Sequence, residues 1–448
     1  MTKPQPLWRS FLVFLVPMFL SNVLQALFGT LNNIYLGQMI GVNALAAVSV
    51  FFPIMFFFIA FIMGLSSGAT VLIGQAYGAK DLVKVKTVAG VALTLALIGG
   101  SMIAVATPFA RAMMVALATP ADILDDATLY AQIMMVTMPA TFVFVLATSI
   151  SRGVSDTMSP LLALVLSTVI GLALTPALIA GWFGLPQFGV ASAAVAALVS
   201  SVATLIALGF YLRARRHPLA PDAELLRHMR VDPQVARMVM RLGLPAAVQI
   251  AAMALAELVL LGLVNGFGSD ATAAYGAVNQ VMSYVQFPAI SIAITASIFA
   301  AQAIGRGDLD RLSHITRTGL ALNLVLTGGL AALAYALSRL IIEMFITSAP
   351  VIELAQQLLH MVLWSMVVFG MSGVFTAIMR ASGTVFMPMA LSICAIFAIE
   401  VPTAQILSRT IGVEGVWIAY PVTFCATFLL QAGFYLLVWR KRPIVRMV

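Results

Sequence analysis

Charged residues are scarce in this chain: 9% of its 448 residues are Asp, Glu, Lys or Arg, whereas 62% are hydrophobic. A soluble domain carries roughly a quarter of its residues as charges, so this composition excludes a water-soluble globular protein. Cysteine is scarcer still, because Cys394 and Cys425 are the only two and both lie inside apolar runs. No disulfide framework or cysteine metal site is expected. The sequence predicts an integral membrane protein.

Signatures of several enzyme classes are also missing. The nearest approach to a phosphate-binding G-x-x-x-x-G-K-[ST] loop, from Gly74 to Lys80, has the wrong spacing and no Ser or Thr after the lysine. ATP is therefore not expected to drive this protein directly. The histidines show no paired metal-ligand spacing; they are His217, His228, His314 and His360. We predict that the protein is not an enzyme and uses no cofactor.

Apolar runs long enough for a helix to cross the hydrocarbon core, about 20 residues, recur along the whole chain. The first run follows Lys3 and Arg9, as in a signal peptide, but its apolar part is too long for one. We predict an all-α membrane protein with twelve transmembrane helices. The predicted spans are residues 10–36, 44–76, 88–110, 127–150, 160–181, 189–212, 241–264, 272–303, 316–338, 355–379, 388–408 and 415–439.

Positive charge lies almost entirely on one side of the predicted membrane. If the N-terminus is cytoplasmic, all of the 24 Lys and Arg except Arg111, Arg339 and Arg409 are cytoplasmic. This asymmetry follows the positive-inside rule, so we predict a bacterial inner membrane protein with both termini in the cytoplasm. The same asymmetry indicates that the net charge of +8 does not serve to bind nucleic acid. The basic segment from Arg213 to Arg241 is interpreted as a solvated linker beside anionic lipid.

The two halves of the sequence resemble each other at an offset of 226–228 residues. Each half holds six spans, an even number, so both halves enter the membrane with the same orientation. We predict two parallel six-helix lobes around a central cleft, at residues 1–213 and 237–448, joined by a basic cytoplasmic linker at 214–236. One chain contains a complete cleft, so a monomer suffices. The equivalent pairs are Gln75 and Gln302, Arg152 and Arg380, Pro160 and Pro388, Pro17 and Pro245, and Pro176 and Pro402, whereas Ala47 is matched by Tyr275.

Only two of the 16 Asp and Glu residues lie inside spans, namely Glu257 and Glu400. They precede the outer ends of their helices by eight and nine residues, which places both ~12–14 Å below the surface. An ionised carboxylate in hydrocarbon costs about 3 kcal/mol, so each must face a polar interior, bind a cation or hold a proton. We predict that both bind H⁺ or Na⁺ as a coupling ion, that is, an ion whose movement across the membrane drives transport. The alternative is a structural glutamate bonded to a neighbouring helix.

The spans also contain other polar residues, which are candidates for lining a substrate path, and prolines, which are candidates for points at which helices bend. Proline removes a backbone hydrogen bond within a helix, so some of these prolines are expected to permit bending. Buried amides also commonly join helices, which remains the alternative for each polar residue. The predicted bending residues are Pro17, Pro176, Pro245 and Pro402. The predicted lining of the substrate cleft is Asn32, Asn33, Gln249, Asn279, Gln280 and Tyr284.

Four short motifs resemble those of the multidrug and toxic compound extrusion (MATE) family. They are Leu31–Gly37 (LNNIYLG), Ala44–Ala47 (ALAA), Gly74–Ala79 (GQAYGA), and Arg152-Gly153 with Pro160. The resemblance covers essentially the whole chain. It implies an antiporter that expels cationic or amphipathic small molecules in exchange for Na⁺ or H⁺.

The departures from the family pattern concern acidic residues. The family's helix-1 Asp-Thr pair is Asn32-Asn33 here, and its helix-5 Asp-Pro is Thr175-Pro176. The acidic residue that some members carry in helix 10 has no counterpart in residues 367–372. The helix-7 glutamate of the NorM-like subgroup matches Glu257, which the resemblance makes the one candidate for Na⁺. Since the repeat aligns Glu400 with Leu174, we expect coupling in the second lobe.

Two other functions remain open at this stage. A flippase for lipid-linked precursors belongs to the same superfamily, but it would need a strongly basic cleft, and the spans carry arginine only at ends such as Arg152 and Arg380. A membrane-embedded enzyme or a signalling scaffold would need a catalytic cluster or a soluble domain, and the longest loop has only about 25 residues.

Overall fold

A computed structural model describes residues 6–448, and within them the chain forms helices joined by short loops, with no strand. Twelve of these helical segments are long and apolar enough to cross a membrane. The predicted all-α class and the number of spans are therefore confirmed. Several helices are longer than their apolar runs, because α2 and α10 continue into polar ends at Gly78 and Arg306.

The first half of the chain forms six long helices and two short ones. They are α1 (Leu7–Met39), α2 (Val42–Gly78), α3 (Leu82–Val105), the short α4 (Ala110–Ala116), α5 (Leu124–Gly153), α6 (Met158–Ala180), α7 (Ser192–Ala214) and the short α8 (Ala223–His228). Asp81 caps α3 by accepting the backbone N–H of Lys84 at 2.9 Å.

The second half repeats this pattern with two interrupted spans. Its helices are α9 (Pro233–Asn265), α10 (Ser269–Arg306), α11 (Arg311–Ala336), the short α12 (Ser338–Glu343), α13 (Ala349–Val362), α14 (Ser365–Ala381), α15 (Phe386–Ala395), α16 (Val401–Ile411) and α17 (Val413–Leu437). A glycine in the left-handed region, Gly307, ends α10.

The tenth span is divided between α13 and α14, which meet around Leu363. The buried amide of Asn323, on α11, donates to the backbone carbonyl of Val367 at 2.8 Å, close to this division. Thr327 in turn donates to the amide oxygen of Asn323 at 3.0 Å. A side chain from a neighbouring helix thus satisfies backbone near an interruption inside the membrane-spanning region.

The eleventh span contains a π-helical turn, Ile396–Glu400, between α15 and α16. Pro402 lies just after this turn. Since proline has no N–H, it cannot bond to the carbonyl of Ala398, and its ring crowds that carbonyl. One wider turn relieves the crowding and places Glu400 at its end.

The helices form two compact units. One comprises Leu20–Ala247, and the other comprises Val248–Val448 with the residues up to Phe19. In the first unit, α2 and α9 pack closely at Gly64 and Gly243, where a Cβ on Gly64 would lie 2.5 Å from the Gly243 carbonyl oxygen. Small residues at such a crossing let two backbones approach.

In the second unit, the initial residues of α1 pack on α10. Phe11 and Phe14 both make edge contacts with the ring of Phe299, at centroid distances of 4.9 and 5.4 Å. Both boundaries between the units fall inside helices. One lies in α1, two residues after Pro17, and the other lies in α9, two residues after Pro245.

The segment between α7 and α9 packs against the first unit. Leu219, Ala220 and Leu225 are buried, and Lys86 on α3 contacts the carboxylates of Asp222 and Glu224, each at 2.5 Å. The expectation of a solvated linker was wrong for this part, because the basic segment contains apolar side chains that are buried against the helices of the first unit. Its arginines remain exposed; they are Arg213, Arg215, Arg216, Arg227 and Arg230.

Candidate functional site

Glu257 lies on α9 and accepts two hydrogen bonds from α10. The side-chain amide of Asn279 donates to its Oε1 at 2.9 Å, and the hydroxyl of Tyr275 donates to the same atom at 3.3 Å. Tyr275 and Asn279 are four residues apart, so one helical face presents both donors. These two hydrogen bonds join α9 to α10.

A chain of hydroxyl groups connects this carboxylate with α17. The hydroxyls of Tyr275 and Tyr420 are 3.0 Å apart, and both side chains are buried. The ring of Trp417 packs on both tyrosines, with centroid distances of 5.1 and 5.7 Å. The indole N–H of Trp417 is buried and has no hydrogen-bond partner among the described residues.

Glu400 completes the acidic cluster, which we define as Glu257, Tyr275, Asn279, Glu400 and Tyr420. Only 7% of Glu400 is exposed, and its charge interacts with that of Glu257 and with Tyr420. Within residues 6–448, no hydrogen bond or ion pair reaches its carboxylate. The two carboxylates therefore share one neighbourhood, but only one of them is hydrogen-bonded.

The remaining residues predicted for the cleft lie outside the acidic cluster. Gln249 accepts a long hydrogen bond of 3.5 Å from Arg380, and Tyr284 makes an edge contact with Phe287 at 5.6 Å. Gln280 is half-buried. Of the six, the structure brings only Asn279 to the acidic residues, and the role of all six as a substrate lining stays a prediction.

In the first unit, the positions that the family resemblance associates with acidic residues form a neutral pair. The hydroxyl of Thr175, on α6, donates to the amide oxygen of Asn32, on α1, at 3.2 Å. Thr175 is fully buried, whereas the neighbouring Asn33 is exposed. This pair joins two helices and offers no carboxylate to a cation.

The four prolines predicted to bend helices have different surroundings. Pro17, Pro176 and Pro245 lie inside the continuous helices α1, α6 and α9. Pro402 alone follows a π-helical turn. Whether any of the four bends during function stays a prediction.

Sequence reasoning missed Tyr275 and Tyr420 as site residues. A signal was present, because the duplication fails where Ala47 is matched by Tyr275, one residue after a matched alanine. Glu400 likewise stands opposite Leu174. Positions at which two related halves differ in polarity identify the residues that make one half acidic.

The acidic cluster suits a small cation. Among the described residues, no group of three or more His, Cys, Asp or Glu side chains could hold a metal ion. The side chain of Asn279 that contacts Glu257 does so through its NH₂ group. The rings of Tyr275 and Tyr420 both contact the ring of Trp417, and all three side chains are buried.

The interhelical contacts outside the spans include one strongly ionised carboxylate. Burial opposes the ionisation of Asp156, but hydrogen bonds from His217 and Ser159 outweigh it and lower the pKa of Asp156 to about 2. The Nε2 atom of His217 lies 3.2 Å from this carboxylate. This contact ties the segment after α7 to the turn between α5 and α6.

A scan against known families finds the MatE family twice, at residues 17–177 and 245–406. Two successive matches, beginning at Pro17 and Pro245, confirm the internal duplication. The probable multidrug resistance protein YoeA of Bacillus subtilis is 42% identical over all of this chain and 97% of its own length. The probable multidrug resistance protein NorM of Thermotoga maritima is 22% identical, covering 95% of this chain and 91% of that protein.

Solved structures of the same family share the fold. A point mutant of the Vibrio cholerae MATE transporter VcmN superposes with a TM-score of 0.90 at 18% identity over 98% of each chain. A MOP superfamily transporter from Pyrococcus furiosus gives a TM-score of 0.87 at 21% identity, over 96% of this chain and 95% of that one. These neighbours confirm the predicted two-lobe fold. With matches over both halves, this integral membrane protein belongs to the MatE family of transporters.

Proposed function

We propose that this protein is a secondary active antiporter that exports organic cations or amphipathic drugs in exchange for H⁺ or Na⁺. The relatives named as multidrug resistance proteins support drug export. The acidic cluster in the second unit supports ion coupling, since it holds two carboxylates inside membrane spans, the hydrogen-bonded Glu257 and the enclosed Glu400. That cluster is the observation that carries the proposal.

Coupling would work through the charge of this cluster. A ligand shifts a conformational equilibrium only if it binds one conformation more tightly than another. Two neighbouring carboxylates repel each other, and a bound cation weakens that repulsion. Loading and release of the cation can therefore favour different conformations, which is what alternating access requires. The neutral Asn32–Thr175 pair gives the first unit no comparable response.

The same proposal includes the setting of the protein. The distribution of Lys and Arg supports a bacterial inner membrane with both termini in the cytoplasm. A monomer is sufficient, since one chain carries both halves of the duplicated fold. The partners are small molecules and the lipid bilayer.

Drug export is tested in a bacterial strain that lacks its own efflux pumps. Cells expressing the protein are expected to tolerate ethidium, tetraphenylphosphonium or DAPI better than cells with an empty vector, and to accumulate less dye. The matched controls are Glu257→Gln, expected to lose resistance, and Glu343→Gln, which changes an exposed glutamate paired with Arg339 and should keep it. Unchanged susceptibility to all three dyes, with the protein present in the membrane, contradicts export. An envelope defect on deletion would favour the flippase instead.

A further inference from the structure

Seven exposed arginines lie between the end of α7 and the beginning of α9. They are Arg213, Arg215, Arg216, Arg227, Arg230, Arg237 and Arg241. Within residues 6–448, none of the seven forms an ion pair. The described part of the chain therefore supplies no counter-charge to this basic surface.

The acidic residues of the same segment are engaged by groups other than these arginines. Asp222 and Glu224 both contact the ammonium group of Lys86, on α3. Asp232 accepts the backbone N–H groups of residues 234 and 235, at 2.9 and 3.3 Å. The segment thus spends its own carboxylates on holding its fold. An anion that pairs with the arginines has to come from outside the chain.

The lipid-facing side of α7 leads to the first of these arginines. Val202, Ile206 and Phe210 are exposed, and Phe210 is 71% exposed although it lies within a membrane span. Successive steps of four, four and three residues place Val202, Ile206, Phe210 and Arg213 on one side of the helix. Arginine near the end of a span extends its charged group to the headgroup region. Arg213 therefore lies where acyl chains give way to headgroups.

The neighbouring helix α6 presents apolar side chains to lipid as well. Ala163 on α6 belongs to one buried cluster with Leu208 and Leu212 on α7, so the two helices are packed together. The exposed residues of α6 recur at steps of four, three and four; they are Met158, Leu162, Val165 and Val169. Two packed helices thus offer apolar stripes that end at the basic surface.

The end of α7 holds its arginines in a defined arrangement. The guanidinium of Arg215 donates to the hydroxyl of Tyr211 at 2.8 Å and lies over the ring, 5.2 Å from its centroid. Arg216 has a φ of +50°, in the left-handed region that glycine adopts most easily. At this helix end the backbone N–H of His217 donates to the carbonyl of Leu212 at 3.0 Å. An arginine thus occupies a position at which helices usually end with glycine.

We infer that the end of α7 binds an anionic phospholipid. The lipid phosphate contacts the guanidinium groups of Arg213, Arg215 and Arg216, and the acyl chains lie along the exposed stripes of α6 and α7. Arginine suits this contact because its planar group can donate two parallel hydrogen bonds to phosphate oxygens. The site depends on the orientation proposed above, which places the end of α7 at the cytoplasmic leaflet, and not on ion exchange. A bound lipid holds this end of the first unit at the membrane surface.

Thermal unfolding and native mass spectrometry of the purified protein test this site. In detergent, phosphatidylglycerol is expected to raise the melting temperature of the wild type more than phosphatidylcholine does, and to remain bound in the mass spectrometer. Inorganic phosphate should leave the melting temperature unchanged, because it has no acyl chains to cover the apolar stripes. Equal effects of the two lipids, or a shift produced by phosphate alone, overturn the inference.

Two triple variants remove the same charge from different places. Combining Arg213→Gln, Arg215→Gln and Arg216→Gln is expected to weaken phosphatidylglycerol binding about tenfold or more. The control changes three exposed arginines of the second unit and should bind as the wild type does; it combines Arg311→Gln, Arg317→Gln and Arg440→Gln. Equal weakening in both variants would show a response to total charge and overturn the site.

The comparison of lipids on the wild type already decides, so a variant that fails to fold leaves the test intact. Neither measurement involves transport. A negative result therefore removes the lipid site and leaves the antiport proposal standing.

Discussion

At the scale of single residues, Tyr275 connects Glu257 with Tyr420 in the acidic cluster. Its hydroxyl bonds to Glu257 and lies 3.0 Å from that of Tyr420, and its ring packs on Trp417. A hydroxyl with two partners in a buried site fixes both of them. Tyr275 and Asn279 together therefore hold the Glu257 carboxylate in place.

We expect Tyr275→Phe to weaken ion-driven transport and to lower stability by about 1 kcal/mol, because it leaves the Tyr420 hydroxyl unpaired. Tyr335→Phe is the control, since Tyr335 lies outside the cluster and its ring stacks on His360. Transport in liposomes and thermal unfolding measure the two effects. Equal behaviour of both variants would show that the Tyr275 hydroxyl is dispensable.

Asp156 gives a residue-level prediction outside the spans. Its pKa falls from an ordinary 3.8 to about 2 in the folded protein, through hydrogen bonds from His217 and Ser159 that outweigh burial. A lowered folded-state pKa stabilises the fold above the unfolded pKa, and this contribution is lost as pH falls from about 4 towards about 2. Near neutral pH it amounts to roughly 1–2 kcal/mol.

Asp156→Asn is accordingly expected to unfold at a lower temperature than the wild type at pH 7, with a difference that shrinks as the solution is acidified below about pH 4. Melting curves across this range provide the measurement, and Asp125→Asn, an exposed partner of Arg111, serves as control. A difference that stays constant with pH would mean that the carboxylate charge has no part in it.

At the scale of elements, the π-helical turn before Pro402 determines where Glu400 lies. A residue added to a helical turn rotates everything beyond it by about 100° relative to a regular helix. The π-helical turn thus sets the direction in which α16 presents its side chains relative to Glu400. Pro402 prevents the turn from becoming α-helical, because it offers no N–H to the Ala398 carbonyl. The position of Glu400 therefore depends on Pro402.

We expect Pro402→Ala to keep the fold but lose coupled transport, because an N–H at position 402 can bond to the Ala398 carbonyl and let the turn become α-helical. Pro288→Ala, in the continuous helix α10, is the control. Thermal unfolding reports the fold, and liposome transport reports coupling. Retained coupling in Pro402→Ala would separate the turn from the function of Glu400.

Elements also mark how far sequence reasoning reaches. Hydrophobic runs predicted the spans, and isolated charges inside those runs predicted Glu257 and Glu400 as candidate ion-binding residues. Both signals lie in a short stretch of sequence. The hydrogen bond near the division of the tenth span joins Asn323 to the carbonyl of Val367, 44 residues along the chain. The donors to Glu257 come from a different helix. Contacts between helices carry no local pattern, so these features needed the structure.

At the scale of the whole molecule, the chain passes between its two compact units twice, and both passages lie inside a helix. They fall after Phe19 in α1 and after Ala247 in α9, each two residues beyond a proline. The basic segment between α7 and α9 lies wholly inside the first unit. The loop that joins the duplicated halves in sequence is therefore not the joint between the compact units.

This arrangement predicts that the chain can be cut in two. Residues 1–230 and 231–448, produced together, are expected to assemble and transport ethidium, because each fragment supplies the opening stretch of a helix that packs within the other compact unit. Either fragment alone should be degraded. Co-purification through a tag on one fragment measures assembly. If the fragments do not associate, continuity at residue 230 is essential. Each half thus carries part of the other's structure, so the ancient duplication has left two copies that are no longer separable as independent proteins.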